Sequence, residues 1–167
     1  LDYLIYQFSL SSETLFENIF QVNPGEFLEI DTKIKKQKFW ELTNNINERI
    51  KYSECKKKIH SLLSESIKMQ QISDVEVSTY NSGGLDSSLV SILSKIHNKK
   101  LNKTFHGNFI KHEEFSELPY AKEVAKKSCL ELNLKNIDYD DIINNLSKII
   151  YSLDYPVGGP GSIPQFI

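Results

Sequence analysis

The chain has 167 residues, of which 40% are hydrophobic and 25% charged, and its formal net charge is −2. With no apolar run long enough to span a bilayer or serve as a signal segment, and no basic excess, it reads as a soluble cytoplasmic protein, neither a membrane binder nor a nucleic-acid arm. Arg49 is the one arginine among 20 basic residues, so anion binding must come from backbone, hydroxyls and lysines rather than from guanidinium clamps.

Residues 1 to 10 are apolar and aromatic. Glu26 to Asp31 and Lys35 to Trp40 read as two strands joined by a polar turn at Thr32-Lys33. Asn44-Asn45-Ile46-Asn47-Glu48 has no period and is rich in turn formers, which predicts a linker near 43 to 51. From Ser53 to about Gln70 a helix is indicated by Cys55, Ile59, Leu62, Leu63 and Ile67, with Ser53 as N-cap and Lys56, Lys57 and Lys58 on a solvated face. Val75 to Tyr80 alternates and is β-branched, as a strand does, and Leu89, Val90, Ile92 and Leu93 follow at helical spacing.

The pattern then repeats. Lys103 to Asn108 reads as a strand, Glu117 to Leu130 as a helix with Ala121, Val124, Ala125 and Cys129 inward, and Lys135 to Tyr139 as another short strand. Asp140 is the expected cap of a helix reaching Leu153, with a stripe of Ile142, Ile143, Leu146, Ile149, Ile150 and Leu153. Strands separated by helices of this length imply βαβ units, a parallel sheet and an α/β fold. The loop from Asp154 to Gly161 reads either as a helix-ending turn or as a lining of the acceptor side of a site, with Asp154 its polar group. The chain begins at Leu1, not Met, and stops just after Ser162-Ile163-Pro164, a helix start, so both ends read as cuts in something larger.

Ser82-Gly83-Gly84-Leu85-Asp86-Ser87-Ser88 carries the chemistry. It stands between the strand ending at Tyr80 and the helix after it, where unpaired N–H groups and a Gly-rich turn suit a pyrophosphate. Gly83 and Gly84 permit positive φ and close approach, Ser82, Ser87 and Ser88 offer hydroxyls, and Asp86 argues for Mg²⁺ bridging to the phosphates. Other phosphate loops do not fit: Leu85 stands where a Walker loop needs Lys, and no third glycine completes a dinucleotide fingerprint. A plain glycine turn capped by Asp86 and Ser87 is the bland alternative. Cys55 and Cys129 share no metal or redox spacing and read as core thiols. His60, His97, His106 and His112 lack metal-ligand spacing, and Glu113, Glu114 and Glu117 are explained by a helix start. His106 stands apart only through its place beside Gly107.

At this loop the chain resembles the ATP pyrophosphatases, and among them the asparagine synthetases. Thr14 to Ile19, Pro24 to Leu28 and Phe39 to Leu42 are similar to the end of the glutaminase domain in that family. Phe105 to Phe109, Tyr120-Ala121 and Leu153 to Pro156 fall where the family has its second strand, the next helix and an Asp-x-Pro loop. The resemblance implies residues 1–45 as the C-terminal end of an Ntn-type glutaminase domain with a β-hairpin remnant. Residues 46–167 would be the N-terminal part of a truncated, doubly wound parallel PP-loop domain. It implies an ATP-dependent ligase that activates a carboxylate, aspartate or a relative, as an acyl-adenylate and amidates it with glutamine-derived ammonia.

The nucleotide site would then be Ser82, Gly83, Gly84, Leu85, Asp86, Ser87 and Ser88 with Gly107 beside the adenine, Asp86 the metal contact, and ATP and Mg²⁺ the cofactors. No catalytic residue is assigned, and a homodimer is left open. The Thr-Thr-x-Arg cluster with which aspartate-using members recognise their substrate is absent near Asp154. That leaves open another amidotransferase, a β-lactam or macrolactam synthetase, or a non-catalytic nucleotide-binding module.

Overall fold

A computed structural model describes residues 2–42, 49–111, 116–156, 159 and 161–167. The chain forms two compact units, Leu1–Arg49 with Leu153–Gly158 and Ile50–Ser152 with Gly159–Ile167. The expected linker residues Thr43 to Glu48, and with them His112, Glu113, Glu114, Val157, Gly158 and Pro160, lie outside the described residues.

In the first unit, helix α1 (Asp2–Tyr6) precedes a hairpin of β1 (Glu26–Ile30) and β2 (Ile34–Lys38), paired antiparallel from Glu26↔Lys38 to Ile30↔Ile34. The strands end before Asp31 and before Phe39. Gly25, at φ 75°, accepts from the N–H of Phe39 at 2.8 Å and of Trp40 at 3.2 Å, which closes the open end of the hairpin. Lys36, exposed, pairs at 2.7 Å with the half-buried Glu26 and lowers its carboxyl below the usual range by hydrogen bonding.

The second unit runs α2 (Tyr52–Gln70), β3 (Thr79–Tyr80), α3 (Leu85–His97), β4 (Lys103–Phe109), α4 (Leu118–Lys127), β5 (Glu131–Ile137), α5 (Tyr139–Leu153) and α6 (Ser162–Phe166). Strands β3, β4 and β5 lie in that order in one sheet, all parallel. This is a mixed α/β arrangement built on a parallel sheet. No helix among the described residues is long and apolar enough to cross a membrane.

Several boundaries differ from the sequence reading, each for a physical reason. Strand β3 has two residues rather than the six of Val75–Tyr80, because Thr79 pairs with Thr104 and β4 begins at Lys103. Below Ser78 there is no ladder left to join. Helix α2 takes Lys51 as N-cap, so Ser53 lies inside it, and Ile59 and Leu62 remain more than half exposed while Ile67 is buried. Asp138, not Asp140, caps α5: its Oδ1 accepts from the Asp141 N–H at 2.8 Å while Asp141 Oδ2 accepts from the Asp138 N–H at 3.3 Å. Two carboxylates thus satisfy each other's orphan N–H groups in a reciprocal box. Of the α5 stripe only Ile149 is fully buried, and Ile143, Leu146 and Leu153 stay exposed.

Helix α4 stops at Lys127 instead of Leu130. Leu130 N–H donates to Ala125 O at 2.9 Å and Cys129 N–H to Lys126 O at 3.3 Å, with Cys129 left-handed at φ 53°. These are the two bonds of a Schellman ending, and Leu130 packs back on Ala125 with Leu101 in the core. Cys129 is therefore exposed, not a core thiol, while Cys55 is half-buried; both are free. The early stop lets β5 start at Glu131, four residues sooner than expected, in full register with β4.

Candidate functional site

The Ser82–Ser88 segment joins the C-terminal end of β3 to the first turn of α3. Gly83 takes φ 95°, and a Cβ there would stand 2.5 Å from the Glu117 carbonyl oxygen, so only glycine fits. Gly84 differs from the sequence reading: it is the N-cap of α3 at φ −67°, ψ 164°, ordinary extended backbone. A Cβ on it would meet Ser82 Oγ at 3.4 Å and Glu117 Oε1 at 3.8 Å. Nothing among the described residues therefore forbids a side chain at Gly84.

The serines divide the work within the loop. Ser87 Oγ accepts from the Ser82 N–H at 3.1 Å and donates to the Gly84 carbonyl at 3.2 Å, and it lies 2.8 Å from Ser82 Oγ. Either hydroxyl can be the donor of that pair, and Ser82 Oγ accepts from the Gly84 N–H at 3.3 Å. The Ser82 and Ser87 hydroxyls thus stiffen the loop first, and an anion must share them. No side chain caps α3, and among the described residues the N–H groups of Leu85, Asp86 and Ser87 meet no acceptor. Three aligned donors at the positive end of a 13-residue helix are what an oxyanion needs.

Leu85 and Asp86 are exposed, and Ser88 is half-buried. Asp86 carries no hydrogen bond or ion pair among the described residues. No group of three His, Cys, Asp or Glu side chains there is placed to hold a metal ion by itself. One exposed carboxylate beside an uncapped helix N-terminus fits Mg²⁺ only as an ion that arrives with a ligand and takes most of its ligands from that ligand and water.

Beside the loop, at the carboxyl ends of the parallel strands, lies a cavity of about 660 Å³. Position and size both suit a small ligand. Its apolar wall includes Tyr80, Phe105, Phe109 and Pro164, and its polar groups include Asn81, Ser82, His106 and Glu117. The Tyr80 and Phe105 rings tilt against each other with centroids 6.4 Å apart. Gly107 is also in the wall, but in mid-strand and not at a strand end. A Cβ on it would collide with Pro164 of α6, with Ile137 Cδ1 at 3.1 Å. Its lack of a side chain is thus explained by the seating of α6, not by a free approach for a base.

Two residues of this neighbourhood gain importance only in three dimensions. Asn81, fully buried, bridges the loop to α4, and His106, 6% exposed, sets its Nδ1 2.8 Å from the Asn81 carbonyl. An asparagine at an inward strand position directly before Ser82 was the available signal. Asp154, left-handed at φ 62°, belongs to the first unit, where it lines a cavity with Phe16 and Tyr155.

Comparison with known proteins follows this geometry. A family model described as asparagine synthase matches residues 58–167. Asparagine synthetase [glutamine-hydrolyzing] 1 of Bacillus subtilis (strain 168) is 30% identical over 166 residues, 98% of this chain. A putative asparagine synthetase [glutamine-hydrolyzing] of Mycobacterium tuberculosis (strain ATCC 25618 / H37Rv) is 32% identical over 122 residues, 73% of the chain. Putative asparagine synthetase [glutamine-hydrolyzing] 2 of Methanocaldococcus jannaschii is 30% identical over 179 residues, 98% of the chain. The chain spans 26%, 18% and 32% of these three proteins, respectively.

Proposed function

The chain belongs to the asparagine synthase family, and we propose that it carries the nucleotide-binding part of an ATP-dependent carbon–nitrogen ligase. In this reading residues 46–167 are the first part of a PP-loop synthetase domain. Residues 1–45, hairpin included, are the end of a glutaminase domain whose ammonia the ligase uses. Adenosine occupies the cavity walled by Tyr80 and Phe105, and the triphosphate lies over the start of α3. A carboxylate, aspartate in the first instance, attacks the α-phosphorus; pyrophosphate leaves, and ammonia attacks the acyl-adenylate to release AMP and the amide.

The contribution of the chain's own residues is electrostatic. The N–H groups of Leu85, Asp86 and Ser87 are fixed where charge grows on the departing pyrophosphate, so they need no reorganisation during the step. Asp86 is the residue to hold Mg²⁺, which when bound offsets phosphate charge as a Lewis acid. A cytoplasmic location belongs to the same reading.

The observation that carries this reading is an uncapped helix N-terminus that follows closely on Ser82, a residue in the wall of a ligand-sized cavity at the carboxyl edge of a parallel sheet. The test is carboxylate-dependent exchange of labelled pyrophosphate into ATP by the full-length protein. Aspartate-dependent exchange with AMP as product is expected. ATP cleavage to ADP, or no exchange with any carboxylate, would overturn it.

One observation supports a second choice of substrate within the same chemistry. The second unit contains no arginine and no Thr-Thr-x-Arg cluster, so aspartate would lack its guanidinium partner here. Exchange with a longer or cyclising carboxylate but not with aspartate would assign the protein to the related amidotransferases or to the β-lactam and macrolactam synthetases. Nucleotide binding without exchange would leave a non-catalytic module.

A further inference from the structure

Asn81 follows the last residue of β3 and has no exposed surface. Each kind of polar group it owns is engaged. Its N–H donates to Phe105 O at 2.9 Å and its carbonyl accepts from His106 Nδ1 at 2.8 Å. Its carboxamide takes the Gly83 N–H on Oδ1 at 3.1 Å and gives a proton from Nδ2 to the Ala121 carbonyl at 3.1 Å. The partners fix these roles, because an amide N–H only donates and a carbonyl only accepts. The same logic puts the His106 proton on Nδ1.

Burying a carboxamide is costly unless its bonds are made, and a leucine of similar size would fill the space without that demand. The backbone of Asn81 holds it to β4 through Phe105 and His106, and what the carboxamide adds is a tie between the first turn of α4, through Ala121, and the loop, through Gly83. Gly83 is the left-handed residue of the loop, and its N–H has Asn81 as its partner. Freed from that bond, the Ser82–Gly83 peptide that leads into α3 can turn, and the donors of Leu85, Asp86 and Ser87 lose their common aim.

We propose that Asn81 is the positioning residue of the phosphate loop, acting through Gly83 without touching the ligand. The proposal rests on the nucleotide reading of the loop. Its consequence is that removing the carboxamide weakens phosphate binding more than its cost in stability accounts for.

The test compares Asn81→Ala with Thr104→Val in the full-length protein. Thr104 is equally buried and shares a 3.0 Å hydroxyl bond with Thr79 in the same sheet, away from the loop. For each variant the melting temperature and the dissociation constant for Mg-ATP are measured. Asn81→Ala should bind at least ten times more weakly than wild type, while Thr104→Val stays within about twofold even if it melts as low. Binding by Asn81→Ala within twofold of wild type, or equal losses in both variants, overturns the proposal. Failure of wild type to bind Mg-ATP removes the nucleotide reading itself, and this inference with it. Should Asn81→Ala not fold, amide exchange in ligand-free wild type decides the matter. Protection of the Gly83 N–H supports the anchor, and exchange as fast as in an unstructured peptide excludes it.

Discussion

At the scale of single residues, Gly83 and Gly84 are glycine for different reasons. Gly83 is held at φ 95° against Glu117, so Gly83→Ala should destabilise by about 1–3 kcal/mol or more in urea titration, independent of ligand. Gly84 is in ordinary extended backbone with room for a Cβ, so Gly84→Ala should cost only about 1 kcal/mol as a poorer N-cap. If a phosphate must lie against that position, Gly84→Ala should nonetheless lose most of the rise in melting temperature that Mg-ATP gives wild type. A full ligand-induced rise in Gly84→Ala would remove the phosphate from this face of the loop. Asp86 tolerates a nearby phosphate only through a cation. Asp86→Ala should therefore abolish ATP–pyrophosphate exchange in the full-length protein and leave glutamine hydrolysis intact, as assays of ammonia release would show. The loop's place between strand and helix was legible because seven consecutive residues carry it. The exchange of roles between Gly83 and Gly84 was not, since φ depends on the fold around the turn, here on how closely Glu117 approaches.

At the scale of elements, the helix ends were the least legible part. A run from Glu117 to Leu130 has helical spacing throughout, and no glycine or proline marks the stop after Lys127. The stop is set by tertiary packing: Leu130 is worth more in the core against Ala125 and Leu101 than as another helical turn. Cys129 bears the strain of that choice in its left-handed conformation. Cys129→Gly should accordingly raise stability by about 0.5–1 kcal/mol in thermal or urea unfolding, with no change in nucleotide binding. A loss of stability would show that the Cys129 side chain makes up for its backbone. The two-residue β3 follows a related rule. Val75 to Ser78 has the composition of a strand, but a strand exists only where a neighbour offers hydrogen bonds, and β4 begins too late to offer them.

At the scale of the whole molecule, the chain spans 26% of the Bacillus subtilis relative, and its cavity offers binding groups without an assigned proton-transfer residue. The 167-residue chain is thus expected to form no amide from ATP, aspartate and ammonia and to release no ammonia from glutamine. Amide detected by mass spectrometry from these residues alone would overturn that expectation. The sequence by itself determined the alternation of strands and helices, the parallel α/β class and the place of the Ser82–Ser88 loop between a strand and a helix. These depend on local periodicity and on a contiguous motif, which pattern and turn chemistry specify without reference to distant residues. Only the tertiary structure decided which glycine is left-handed, that Gly107 makes way for Pro164, and that Asn81 holds the loop to α4. Each of these rests on contacts between residues far apart in sequence or on where a neighbouring element begins, and no local pattern encodes such distances.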